Sequence, residues 1–292
     1  MSGRPAVLGI LNVTEDSFSD GGRHLSPEAA LAHARSLAAQ GADIIDIGAA
    51  SSRPDAKPVP PELEIQRLAP LVDVLGNEGL SLSIDSFAPQ TQLWALARRV
   101  EYLNDINGFA RPEIYPDLAA SWCRLIVMHG LRQFGPASRE DRTPADLFGR
   151  ILSFFEARIA ALTAAGIARH RLILDPGMGL FLGRDPEASF LVLRRLPELK
   201  AAFALPVLVS VSRKSFLRAG KPAAEAGGAT LAAELFAAAQ GADYLRTHDP
   251  AALRDALAIT ARLRGDGGSV SGEQITHDPQ QSGQNRLLGS QR

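Results

Sequence analysis

The sequence predicts a (β/α)8 barrel, and three observations carry that expectation. A short β-branched run, a polar loop and an Ala/Leu-rich helical stretch recur as one pattern along the chain. The runs are apolar on both faces, as strands of a parallel sheet covered by helices must be. Eight such units fit within the roughly 250 residues over which this pattern closes into a barrel. A doubly wound open sheet is the structural alternative, and the number of units favours closure.

The strands fall at 6–13, 43–48, 80–86, 102–107, 124–130, 171–177, 206–212 and 244–249. Helices are expected at 27–40, 61–75, 88–99, 145–166, 186–203, 228–240 and 250–263. Several open with proline in the first turn, as at Pro27, Pro61 and Pro186, where a missing N–H is harmless. Several close near glycine, the residue that tolerates the left-handed turn ending a helix. One domain is expected over 1–264. Residues 265–292, rich in Gly, Ser and Gln with almost no apolar pattern, read as a disordered tail.

Composition narrows the function classes. The 292 residues are 46% hydrophobic, normal for a globular chain with a large core, and the formal net charge of −1 argues against a nucleic-acid partner. The one cysteine, Cys123, has no partner for a disulfide within the chain and reads as a small buried hydrophobe. The opening MSGRP lacks the apolar core of a signal peptide, and no run reaches the roughly 18 apolar residues of a membrane span. The expected compartment is a bacterial-type cytoplasm and the expected partner a small molecule.

In such a barrel the chemistry gathers where the strands end. Those ends carry Asn12, Asp46, Asp85, Asn104 with Asp105, His129, Asp175, Ser212-Arg213-Lys214, and Arg246 with His248. Singly, each has a plainer explanation. Asp85 could cap the helix near Pro89, Asp105 could serve a turn, and His129 could be a hydrogen-bonded core histidine. Together they describe a ligand. A carboxylate in a low-dielectric mouth must be paired or hydrogen-bonded. Adjacent N–H and amino donors on a flat heteroaromatic ring would satisfy Asp85, Asn104 and Asp175, with Lys214 on the ring's acceptors. Asn12, Arg246 and His248 suit an anion with a divalent metal. In LILDPGMGLFLG (172–183), three glycines and a proline after Asp175 let the backbone turn sharply and approach such a ring.

LGILNVTEDSFSDGG (8–22), IIDIGAASSRPDA (44–56), SIDSF (83–87), YLNDINGF (102–109), LILDPGMG (172–179), VSVSRKSF (209–216) and YLRTHD (244–249) resemble the dihydropteroate synthases, in that family's order. The resemblance implies a TIM barrel that joins 6-hydroxymethyl-7,8-dihydropterin diphosphate to p-aminobenzoate in folate biosynthesis. It implies that Asn12 helps hold Mg2+ and diphosphate, that Asp85, Asn104, Asp175 and Lys214 bind the pterin, and that Arg246 and His248 hold the diphosphate. Loops 13–23 and 49–61 would close over the site, with Ser52, Arg53, Pro54 and Ser212 lining the p-aminobenzoate pocket. It also implies a dissociative mechanism and a homodimer.

Two segments depart from the family's usual pattern. Ala50 and Ser52 stand where glutamate and threonine are common, and Phe181 and Leu182 where glycine and lysine are. These changes resemble the sulfonamide-insensitive, mobile-element-borne type of the enzyme, and Phe181 is expected to narrow the p-aminobenzoate pocket. Two other functions compete. One is a Schiff-base aldolase with Lys214 as nucleophile, its pKa lowered by burial or by Arg213. The other is a non-catalytic or methyl-transferring pterin-binding barrel, which has no need of Asn12, Arg246 and His248 together.

Overall fold

The computed structural model describes residues 4–14, 26–51, 56–130, 144–218 and 220–265. The chain divides into two compact units, Met1–Leu257 and Ala258–Arg292. The first holds all eight strands and the pocket. Of the second, only residues 258–265 are described, so the expected tail from 266 onward lies outside the described residues.

Eight parallel strands, β1 (Ala6–Asn12), β2 (Ile44–Gly48), β3 (Leu82–Asp85), β4 (Tyr102–Asp105), β5 (Arg124–Met128), β6 (Leu172–Asp175), β7 (Leu208–Val209) and β8 (Tyr244–Thr247), are ordered 6-5-4-3-2-1-8-7. A parallel bridge between Leu174 and Val207 brings the two end strands together, so the sheet closes into the (β/α)8 barrel. Nine α-helices of four or more residues are seen among the described residues: α1 (Pro27–Ala39), α2 (Pro61–Asn77), α3 (Pro89–Ala97), α4 (Tyr115–Ala120), α5 (Pro144–Ala164), α6 (Pro186–Arg194), α7 (Leu196–Phe203), α8 (Gly227–Ala239) and α9 (Pro250–Arg264).

Three elements differ from the sequence expectation. The helix expected over 186–203 is two, broken at Arg195, because Pro197 has no N–H to bond back to Leu193 and its ring crowds the preceding turn. The short α4 carries no periodic signal in the sequence, because six residues cannot show a 3.6-residue period. The seventh strand is ladder-paired only over Leu208–Val209. Beyond it the chain turns back, with Lys214 N–H bonding the Val211 carbonyl and Arg213 at φ 57°.

Period-two alternation sorts each strand. Outward residues such as Val7, Leu11, Ile45, Ile47, Ile84, Leu103, Val127 and Leu174 join the helices in one continuous buried layer. Inward residues Leu8, Ile44, Ile126, Ile173, Leu208 and Tyr244 form a separate apolar floor inside the barrel. Above that floor the inward positions turn polar. Two copies of a Gln-Gly-Ala-Asp turn, at 40–43 and 240–243, seat the strands flanking β1 from below. Asp43 accepts from Val7 N–H at 2.7 Å, and Asp243 from Val207 N–H at 2.9 Å. The repeated carboxylate supplies a hydrogen bond that the ladder cannot.

The chain turns hardest after β6. Asp175 accepts from Gly177 N–H at 2.8 Å, and Gly177 sits at φ +74°, where a Cβ would lie 2.4 Å from the His129 carbonyl oxygen. Gly177→Ala combines left-handed strain with a backbone clash and is expected to cost about 3 kcal/mol in urea unfolding. Gly76→Ala, in α2 with nothing within 4 Å of the new methyl, should gain about 0.5 kcal/mol in the same measurement.

Candidate active site

A pocket of about 440 Å³ opens at the C-terminal ends of the strands. Register explains its lining. Asn12, Gly48, Asp85 and Asn104 are consecutive neighbours across β1 to β4, and all four face inward. Gly48 leaves a gap between its neighbours: a Cβ there would stand 3.6 Å from both Asn12 Oδ1 and Asp85 Cβ. Asp175, Ser212, Lys214, Arg246, His248 and Phe181 complete the polar and aromatic wall, with Ile10, Ile106 and Met128 as apolar panels.

Charge compensation organises the interior. Arg246 donates from Nε to Asp46 Oδ2 at 2.5 Å and from Nη2 to Asp85 Oδ2 at 2.8 Å. Asp46 is fully buried. Burial works to lower the pKa of Arg246, but Asp46 and Asp85 override it and hold the guanidinium above its ordinary value. Burial pushes Asp85 up to about 7, with Arg246 opposing and Asp46 adding to the rise. Burial also raises Asp175, against the pull of Lys214. Lys214 is lowered to about 8 by its own burial, with Asp175 resisting, and its ammonium donates to the Met178 carbonyl at 3.1 Å. Asn104 Oδ1 is buried without a protein partner.

His248 is held differently. Ser212 Oγ lies 2.9 Å from its Nδ1 and accepts from its backbone N–H at 3.2 Å. Burial, then Arg213, Arg246 and Lys214, lower His248 to about 3, so the ring is neutral.

The structure thus gathers Asn12, Asp85, Asn104, Asp175, Phe181, Ser212, Lys214, Arg246 and His248 around one pocket. Ser52, Arg53 and Pro54 lie outside the described residues, as do most of loop 13–23 and part of loop 49–61. Two strand-end residues belong elsewhere. Asp105 faces outward and accepts from Asn107 and Phe109 N–H, serving a turn. His129 bonds the Pro176 carbonyl, packs edge-on against Phe154, and is lowered by burial to about 4. Asp46 was visible as a charge inside IIDIG, but its partner lies 200 residues away. Arg218 lines the pocket without any sequence signal. No group of three His, Cys, Asp or Glu side chains fit to hold a metal occurs among the described residues. Asn12 offers one neutral oxygen, which suits Mg2+ only as a minor ligand beside substrate phosphates and water.

Buried carboxylates and cations converging at the mouth of a closed (β/α)8 barrel define a barrel enzyme of the ligand-binding-mouth type. The family model described as pterin binding enzyme matches residues 8–248. Dihydropteroate synthase type-2 of Escherichia coli is 57% identical over 88% of this chain and 96% of its own, and type-1 of Pseudomonas aeruginosa 52% over 88% and 93%. The Xanthomonas albilineans dihydropteroate synthase with 4-aminobenzoic acid superposes with a TM-score of 0.82 at 36% identity, covering 90% of this chain and 94% of that one. A Yersinia pestis dihydropteroate synthase in a sulfonamide drug complex gives 0.83 at 34%, over 91% and 96%. The chain belongs to the pterin-binding enzymes and, within them, to the dihydropteroate synthases of folate biosynthesis.

The raised Asp85 has a thermodynamic consequence. Its carboxyl titrates near 7 in the fold and near about 3.9 when unfolded, so the folded state binds more protons between those values. Stability therefore falls as pH rises from about 4 to about 7. Asp85→Asn removes that contribution and should give a shallower decline of melting temperature across this window. Asp105, raised to about 6, and Glu234, raised to about 7, preserve part of the slope.

Proposed function

We propose that this chain condenses 6-hydroxymethyl-7,8-dihydropterin diphosphate with p-aminobenzoate, giving 7,8-dihydropteroate and diphosphate, and that diphosphate departs before the amine attacks. The observation that carries the reading is the pairing of two inward carboxylates and an unpartnered buried amide oxygen with a neutral histidine donor across the same pocket. The pterin's N–H and amino groups would meet Asp85, Asn104 and Asp175, and Lys214 would donate to the ring's acceptor atoms. The methylene C–O bond breaks with its electron pair leaving on diphosphate. The resulting ring cation is stabilised by Asp85 and Asp175, and the departing oxyanion by His248 Nε2–H and Arg246. The arylamine nitrogen then forms the C–N bond and releases a proton. Mg2+, held by Asn12 and the phosphate oxygens, would neutralise further charge on the leaving group.

The likeness to the Xanthomonas albilineans structure with 4-aminobenzoic acid supports the choice of acceptor. Turnover of both substrates, with and without chelator, tests the reading; a folded enzyme that forms no dihydropteroate refutes it. Asp175→Asn keeps an acceptor for Gly177 N–H but removes the charge facing the ring cation. Its kcat should drop about 10²- to 10³-fold.

We further propose that Phe181 makes the enzyme sulfonamide-insensitive. Its ring lines the pocket, with the Lys214 ammonium 5.1 Å from the ring centroid, and in this reading it narrows the p-aminobenzoate end. The flat carboxylate of p-aminobenzoate fits where a bulkier sulfonamide group clashes, a discrimination of up to roughly 200-fold. Phe181→Gly should become sensitive to sulfamethoxazole by about that factor; equal inhibition of both forms disproves the role. A homodimer in a bacterial-type cytoplasm completes this reading.

A further inference from the structure

Behind the inward pair Asp85 and Asn104 lies a buried polar assembly on the outward side of the same strand ends. Ser86 N–H makes the last rung of the β3–β4 ladder, to the Asn104 carbonyl at 3.0 Å. Past that rung the strands separate, β3 toward α3 and β4 toward the turn at Gly108. Gln92 of α3 reaches into the gap. Its Nε2 donates both to the Ser86 carbonyl at 2.8 Å and to Asp105 Oδ2 at 2.9 Å. One amide group thus spans the two chains where a further rung would stand.

Each partner is fixed in turn. Ser86 Oγ donates to Glu64 Oε2 of α2 at 2.5 Å and accepts from Ala88 N–H at 3.2 Å. Asp105 is anchored by the N–H groups of Asn107 and Phe109. Gln92 is completely buried, and its Oε1 has no protein partner. An orphaned buried acceptor is costly, and methionine would fill similar space without it. What methionine lacks is the forked donor. Its NH2 makes two bonds just beyond the last rung, bracing the strand ends on which Asp85 and Asn104 stand.

We infer that Gln92 is a positioning residue for the pterin: its amide bridge from Ser86 to Asp105 holds Asp85 and Asn104 at the spacing that reads the ring's donors. The inference rests on the proposed reaction and deepens it. Gln92 touches no substrate and acts only through the strand ends.

The test uses the full-length enzyme with both substrates. Gln92→Met removes the donors at similar volume, and Asp105→Asn weakens the same bridge from the other side, so either variant serves if its partner fails to fold. In both, KM for pterin diphosphate should rise about tenfold while kcat and KM for p-aminobenzoate move less than about twofold. The two changes should be non-additive when combined. Ile167→Ala, a remote buried control, should lower the melting temperature and leave all three parameters in place. An unchanged pterin KM in a folded variant, or parallel shifts in both KM values, overturns the role. Absence of turnover in the wild type overturns the reaction itself, and this role with it.

Discussion

Carboxylates that face inward at the top of a closed barrel are the constraint from which the rest of the structure follows. Asp46, Asp85 and Asp175 are held where water is scarce, and an uncompensated charge there would cost several kcal/mol. Arg246 settles two of them, and Lys214 offsets the third. The compensation is incomplete at Asp85, which stays near neutral pH in its titration. A ligand presenting donors on one side and negative charge on the other would complete that compensation. Function of this kind is bought with stability.

The barrel can tolerate such a mouth because its two apolar regions are separate. Outward strand faces and helices make the main core, while six inward side chains seal the cylinder below the polar layer. The pocket therefore has a dry floor and a charged wall. That combination strengthens every electrostatic contact made in it. The neutral His248, supported by Ser212, belongs to the same logic, since a charged imidazole among Arg213, Arg246 and Lys214 would be repelled.

Precision comes from behind. The side chains that would meet substrate stand on strand ends, where ladder bonds run out. Outward polar groups take over there: Glu64 and Gln92 behind β3 and β4, and Thr230 bonding Arg213 N–H behind β7. At the β6 end the turn is fixed by Gly177, which no other residue replaces without striking the His129 carbonyl. Phe181, on a short turn, sets its ring beside Lys214 in the pocket wall.

Hydrophobic periodicity and the order of the polar strand ends determined the repeat, the barrel and most of the polar pocket residues, because alternation and local turn chemistry are properties of neighbouring residues. A helix broken at Arg195 and a six-residue α4 slipped past that reading, one for a proline inside an apolar run and one for being shorter than the period it should display. The tertiary structure alone decided which polar residues meet. Asp46 finds Arg246 across the closed sheet, and Gln92 reaches from a helix to bridge two strand ends. Those pairings depend on strand register and barrel closure, which join residues far apart along the chain, and no local pattern encodes them.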